Sequence, residues 1–411
     1  MPNWLIKNFK YSFKQVVQSK LTLLVFLISF LLNIFPSFFY PSSIELPYDD
    51  EPGYIGYGRI QFETLFIEWD LFSGIWQENF KGYGTPNPRL PAYIIGFFKY
   101  LADKINSSFF TTRMLMLSLA AGCSTLLYIL VRLTVSNIAG IIAAELLLLN
   151  PIFQSIRDRM VYHIPLLFFT LLTLISLVKI KRNFKKAHNK KIYSRGILLG
   201  ITISCHLYAI ALWPVLLSAL LVGIGRKFKE SISIFFYVSL IAFSVFIITN
   251  PLLYSDLVGG IKCMTTGHVT MVKAGVAGCT KPDPDFSFIK YIITFPFILF
   301  RNPPFMMAGV KNQWPPSPSD YFFIGIGYLL FIRGMIKIIS NRGNKRNIPL
   351  AFFFSIFSLI SYIIISLPND WWTMPKTFIL NVASLIWIFS FNFMPLSSKI
   401  TGKQIENSYQ S

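Results

Sequence analysis

Residues 21–40 read LTLLVFLISFLLNIFPSFFY, a stretch without a single charge, and residues 48–54 just beyond it read YDDEPGY. A run of about 20 apolar residues is the length at which a helix crosses the hydrocarbon core of a bilayer, so the first stretch reads as a membrane span. Lys7, Lys10, Lys14 and Lys20 precede it and no small-residue cleavage site follows, so the run is expected to stay as an anchor rather than be removed as a signal peptide. Further runs of this kind occupy residues 113–133, 137–153, 162–180, 231–253, 321–340, 348–367 and 375–395. With 54% hydrophobic and 14% charged residues and a mean hydropathy of +0.55, the chain reads as an all-α polytopic membrane protein, and a soluble fold is excluded. No linker, long repeat or low-complexity tract divides the 411 residues, which are expected to form a single transmembrane domain, 1–411.

The net charge of +20 does not point to nucleic acid, because the lysines and arginines cluster between apolar runs, as cytoplasmic loops do. The amino terminus, the block Lys179, Lys181, Arg182, Lys185, Lys186, Lys190, Lys191 and Arg195, the group Arg226, Lys227 and Lys229, and the group Arg342, Lys345 and Arg346 are all assigned to the cytoplasm. Residues 196–225 are apolar yet flanked by basic segments on both sides. A single crossing cannot satisfy that, so they are expected to form a tight helical pair turning near His206-Leu207-Tyr208. Residues 286–320 hold an apolar run broken by Pro296, Pro303 and Pro304, with both ends outside, and read as an interfacial or re-entrant helix. The sum is about ten crossings with both termini cytoplasmic, a first outer loop at 41–112, a second at 254–320, a short outer connection at 368–374 and a cytoplasmic tail at 396–411.

The first outer loop carries Glu45, Asp49, Asp50, Glu51, Glu63, Glu68, Asp70, Glu78 and Asp103, half of the 18 acidic residues, so function is sought on that face. Residues 55–80 place Ile60, Phe62, Leu65, Phe66, Trp69, Phe72 and Trp76 at near-helical spacing, as in a helix lying in the membrane interface. The triple Asp49-Asp50-Glu51 has three readings. It is a solvated loop, a general base held at the membrane surface, or a hard-oxygen site for a divalent cation.

The order of these features resembles the GT-C superfamily of polyprenyl-phosphate-sugar glycosyltransferases, in its protein O-mannosyltransferase and aminoarabinose transferase branch (family 39-like). A first span leads to an outer loop opening on an Asp-Glu pair, matched by Asp50-Glu51. The stretch Asn87-Pro88-Arg89-Leu90-Pro91-Ala92-Tyr93 is similar to the family's proline-containing segment. Arg157-Asp158-Arg159 echoes its approach to the fourth span, and residues 195–200 through Leu212-Trp213-Pro214 look like its helical pair. The chain departs from the pattern where the family's usual lysine is replaced around His206-Leu207 and where the proline stretch lacks its leading histidine.

The resemblance implies a GT-C-like bundle and an inverting transfer of sugar from a polyprenyl-phosphate donor on the outer side. The acceptor is left open between protein, lipid and glycan. Asp50, then Asp49 or Glu51, would serve as base, while Arg157 and Arg159, with His206 and Arg89 in support, would hold the departing phosphate. The plainer reading makes the two arginines headgroup anchors with Asp158 as their ion-pair partner, and His206 a structural residue. Lys262, His268 and Lys273 form a further basic stretch in the second outer loop, where solvation is the simpler reading.

Cys263 and Cys279, on the oxidising side, are a disulfide candidate, whereas Cys123 and Cys205 fall in spans. Four cysteines and four histidines without zinc spacing predict no transition-metal site, and no cofactor is expected beyond the alternative of a divalent cation at Asp49, Asp50 and Glu51. A bacterial inner membrane is the expected location. The competing class is a transporter or flippase of lipid-linked glycans. Such proteins keep ionisable groups near the midplane, where Glu145 is the only acid well inside a span.

Overall fold

The computed structural model describes residues 20–39, 51–70, 88–105, 109–179, 188–224, 228–255, 257–261, 264, 295–300, 318–340, 354, 356, 360 and 379–394. Among them every regular element is helical. In chain order these are α1 (Lys20–Phe39), α2 (Glu51–Phe66), α3 (Leu90–Ile105), α4 (Phe109–Thr134), α5 (Asn137–Leu149), α6 (Pro151–Ile156), α7 (His163–Val178), α8 (His188–Cys205), α9 (Leu212–Ile224), α10 (Phe228–Ile248), α11 (Leu252–Ser255), α12 (Pro318–Ser340) and α13 (Ile379–Ser390). Short 3₁₀ turns cover Leu207–Ala211, Phe295–Leu299 and Phe391–Phe393.

The burial pattern of α1 shows which solvent it meets. Its inward stripe is Thr22, Val25, Ser29 and Asn33, while Leu23, Leu24, Leu27, Leu31 and Phe35 are exposed. Polar groups inside and leucine outside is the arrangement of a helix bathed in lipid, where apolar side chains have nothing to gain by leaving the surface. The exposed Phe236, Leu240 and Ile248 of α10 and Phe322, Leu329, Ile332 and Ile339 of α12 repeat it. Thr111–Thr134, Phe228–Ile248 and Pro318–Ser340 are long and apolar enough to cross a membrane, and Lys20–Phe35, Asn137–Leu149, His163–Val178, Leu212–Leu221 and Ile379–Phe393 are shorter apolar helices. The chain is therefore an all-α polytopic membrane protein, as its sequence predicts.

Helix α4 lies at the centre, packed by α1, α3, α5 and α7. The Trp387 indole Nε1 of α13 donates to Thr134 Oγ1 at 2.9 Å, which ties the last helix to the end of α4. Helices α8 and α10 run side by side with little between them. A Cβ on Gly200 would lie 2.6 Å from the Ala242 carbonyl oxygen, and one on Gly196 2.7 Å from Ile241. The expected helical pair is present, with α8 ending at Cys205 and α9 starting at Leu212 after a 3₁₀ turn.

Two expectations are corrected. Span 137–153 stops at Leu149, because Asn150-Pro151 ends α5 and starts α6: the Asn150 N–H caps back to the Leu147 carbonyl while its Oδ1 accepts from the N–H groups of Ile152 and Phe153. The interfacial helix expected at 55–80 instead begins at Glu51 and ends at Phe66; it unwinds through bonds from the Glu68 and Asp70 N–H groups to the Glu63 and Thr64 carbonyls, with Trp69 in the left-handed region at φ 59°. Its α2 packs on α3 through Phe62 and Phe66 against Phe97, Tyr100 and Tyr93. Of residues 286–320, expected as an interfacial or re-entrant helix, only 295–300 and 318–320 are described, and Phe295, Ile298 and Leu299 of the 3₁₀ turn there are buried. Asn150 Nδ2 donates to the Ile298 and Leu299 carbonyls at 2.8 and 3.0 Å. The expected span 348–367 lies for the most part outside the described residues, as do both termini.

Candidate functional site

At one end of the bundle several helices meet around the turn that joins α6 to α7. Glu51, first residue of α2, is fully buried there. Its Oε2 accepts from Arg113 Nη2 of α4 at 2.8 Å and its Oε1 accepts from the Met160 N–H at 2.8 Å. The Arg113 side chain is 1% exposed and also faces Asp158 Oδ2, at 3.5 Å. Two carboxylates and one guanidinium thus lock the start of α2, the start of α4 and the 157–162 turn together. Stranding one partner of such a pair is costly, so the lock is stiff.

That arrangement corrects two readings. Glu51, one of the three carboxylates offered as base or cation ligand, has both oxygens engaged by protein donors, which suits it to hold α2 in place rather than to accept a proton. Asp158 forms its ion pair with Arg113, not with Arg157 or Arg159. Asp49 and Asp50 lie outside the described residues.

Arg157, at the end of α6, is half-buried. Its Nη1 donates to Asn33 Oδ1 of α1 at 3.4 Å. Burial lowers its guanidinium pKa from the ordinary value, and the neighbouring Asp158 carboxylate pulls it partly back. A guanidinium already short of solvation, held by a neutral amide, is well suited to an anion. Arg159, two residues on and also half-buried, lies on the same turn, its N–H bonded to the Ile156 carbonyl at 3.2 Å. Helix α7 begins four residues later, at His163, so the positive end of its dipole lies at this turn.

His206 sits between α8 and the 3₁₀ turn, where its sequence placed it, but it is 4% exposed and stacked on Tyr162, with ring centroids 4.4 Å apart. Tyr162 in turn stacks on His163 at 4.0 Å. The stack brings the helical-pair turn against the Arg157–Arg159 turn. Arg89 is also at this end: its backbone N–H donates to Asn250 Oδ1 at 2.9 Å, just past α10. The Arg89 guanidinium acts on Tyr93, whose buried phenol is pushed up in pKa by desolvation while the arginine pulls it down. Thr249 Oγ1 and Ser204 Oγ, 2.6 Å apart, close the contact between the ends of α10 and α8. The structure therefore gathers Glu51, Arg157, Arg159, His206 and Arg89 at one end of the bundle.

Sequence reasoning missed Asn33, Arg113, Tyr162 and His163. Asn33 and Arg113 carry a usable signal, since each is a polar or charged group placed on an apolar helix and needs a partner inside it. Tyr162 and His163 give none. Cys263, Cys279, Lys262, His268 and Lys273 lie outside the described residues, and Cys123 and Cys205 are buried thiols of α4 and α8. Among the described residues no group of three His, Cys, Asp or Glu side chains is assembled.

Residues 96–255, less than half of the chain, match the family model described as dolichyl-phosphate-mannose-protein mannosyltransferase. No curated protein matches by sequence. Among solved structures, ArnT from Cupriavidus metallidurans bound to undecaprenyl phosphate superposes with a TM-score of 0.51 at 12% identity, over 95% of this chain and 61% of that one. The archaeal oligosaccharyltransferase AglB from Archaeoglobus fulgidus, in complex with an inhibitory peptide and a dolichol-phosphate, superposes with a TM-score of 0.50 at 14% identity, over 96% of this chain and 54% of that one. The chain spans little more than half the length of these neighbours, and at such identities the likeness is one of fold. The GT-C resemblance read from the sequence is borne out by the matched segment and by the fold.

Proposed function

We propose that this chain is a membrane glycosyltransferase that takes a sugar from a polyprenyl-phosphate donor and transfers it, with inversion, to an acceptor on the extracytoplasmic side. The observation that carries the reading is Arg157: a half-buried guanidinium at the outer end of apolar helices, hydrogen-bonded by its side chain to the neutral Asn33. A phosphate at the headgroup end of a lipid is the anion that belongs at that depth. The ion pair of Arg113 fixes Glu51, to which Asp50 and Asp49 are joined in the sequence.

In the reaction, Asp50, or Asp49, takes the proton of the acceptor hydroxyl or amine as that atom attacks the anomeric carbon. The bond from that carbon to the phosphate oxygen breaks, and polyprenyl phosphate departs with the electron pair. One displacement inverts the anomeric centre. Arg157 and Arg159 stabilise the negative charge that grows on the phosphate, with His206 and Arg89 in support. Glu51 acts by holding α2. The proposal sets the protein in a bacterial cytoplasmic membrane with both termini inside; the acceptor class is a protein, a lipid or a glycan.

Transfer of radiolabelled sugar from polyprenyl-phosphate donors, measured in membranes containing wild type, Asp50→Asn, Arg157→Ala or Glu63→Gln, tests this. Glu63 pairs with Arg59 on the α2 surface and serves as control. Loss in the first two variants at normal membrane levels is expected. Full activity in both would discard the site and favour a transporter of lipid-linked glycans.

A further inference from the structure

A buried amide inside a lipid-facing helix needs a reason, and Asn33 is fully buried on the inward stripe of α1. Its Nδ2 donates to the Ser29 carbonyl one turn back at 2.8 Å, which fixes the amide plane and turns Oδ1 toward Arg157 Nη1 at 3.4 Å. The two arginines of this region are treated differently. Arg113 has its charge matched by Glu51 and Asp158. Arg157 is hydrogen-bonded to a neutral acceptor instead, and the Asp158 carboxylate that acts on it is itself paired with Arg113, so its guanidinium is oriented without a carboxylate of its own in contact. A carboxylate at position 33 would have held the arginine more tightly and cancelled it.

We infer that Asn33 is a positioning residue, which orients the Arg157 guanidinium toward the phosphate of a polyprenyl-phosphate lipid. The inference rests on the glycosyltransferase reading above. It makes α1, otherwise a lipid-facing anchor, one wall of the phosphate site. Arg157 binds the anion; Asn33 never touches it.

The test is binding of undecaprenyl phosphate, without sugar, to the purified full-length protein in nanodiscs, together with the donor KM and kcat of transfer. Asn33→Asp places a negative charge beside Arg157 and is expected to weaken lipid-phosphate binding about ten- to hundredfold, the worth of a charge-assisted hydrogen bond. Asn33→Leu removes the acceptor without adding charge and folds readily in an apolar helix. It is expected to weaken binding of the lipid phosphate a few-fold and to lower kcat/KM of transfer by at least that factor. In an Arg157→Ala background, Asn33→Leu should have no further effect. Wild-type protein that neither binds the lipid phosphate nor transfers sugar would sink the functional reading itself. Wild-type binding with Asn33→Leu unchanged in affinity, or an effect of Asn33→Leu that persists in Arg157→Ala, would overturn the role of Asn33 alone.

Discussion

Replacing Arg113 by Met strands Glu51. Both side chains of the pair are 1% exposed, and the carboxylate loses its Arg113 bond while it keeps the Met160 N–H. Removing one partner of a buried ion pair costs about 3–5 kcal/mol, because the survivor stays charged without its counter-charge. Asp158 adds little to the cost, since its side chain is 28% exposed and turns to solvent. The reverse change, Glu51→Gln, is milder: the amide oxygen still accepts from Met160, and Arg113 keeps Asp158. It should cost about 1–3 kcal/mol, the range for a buried hydrogen-bonding group left partly satisfied. Combining the two leaves no buried carboxylate unpaired, so the double variant should be more stable than Arg113→Met alone. The assay is the half-life of folded protein in mild detergent at fixed temperature, read by size exclusion, with thermal midpoints alongside. A single variant Arg113→Met as stable as wild type, or a double variant less stable than Arg113→Met, would refute the reasoning.

Helices α2 and α3 touch backbone to backbone. A Cβ on Gly96 would lie 2.0 Å from the Gly58 carbonyl oxygen, so Gly96→Ala must push the helices apart, at about 1–3 kcal/mol, and should lower transfer by shifting Glu51. Gly56 has nothing within 4 Å of a new Cβ, and Gly56→Ala should be neutral or stabilising by up to about 1 kcal/mol; equal thermal midpoints for the two variants would contradict the packing. If the aspartates act as base, transfer should survive EDTA, whereas loss on chelation with recovery on adding Mg²⁺ or Mn²⁺ would reassign them to a cation.

The fold was legible because the bilayer writes it into composition: apolar runs, basic loops and the parity conflict at 196–225 suffice to place α1, α4, α7 and the α8–α9 pair. Helix ends were less so. Periodicity carried α2 on to residue 80 since Trp69 continues the aromatic spacing, yet backbone geometry at Trp69 departs from a helix. The candidate site was legible in the positions of Arg157, Arg159 and Glu51, because charges next to apolar runs stand out, while Glu51 was read as chemical where its buried pair with Arg113 suits it to hold α2. What they do to each other was not. Whether Asp158 pairs with Arg157 or with Arg113 depends on helix packing between residues 45 positions apart, and no local spacing encodes it.

Among the described residues, buried polar side chains at this end of the bundle hold its elements together. Asn33 joins α1 to the Arg157 turn, Glu51 and Arg113 join α2 to α4, Asn150 joins α5 to the Phe295–Leu299 turn, and Asn250 joins the end of α10 to Arg89. Each amide or carboxylate is inaccessible to water, so giving up its bonds costs far more than a surface contact would. Apolar packing alone cannot do this in lipid, where leucine gains as much from a fatty chain as from another helix. The consequence is a division of labour along the bundle axis. Close helix packing at Gly196 and Gly200 sets the distance between α8 and α10, while hydrogen bonds and a ring stack set the positions of Arg157, Arg89 and His206 at one end of the bundle. The proposed binding of a lipid-borne phosphate calls for the second kind of restraint, because a guanidinium misplaced by an ångström loses the geometry that makes it useful.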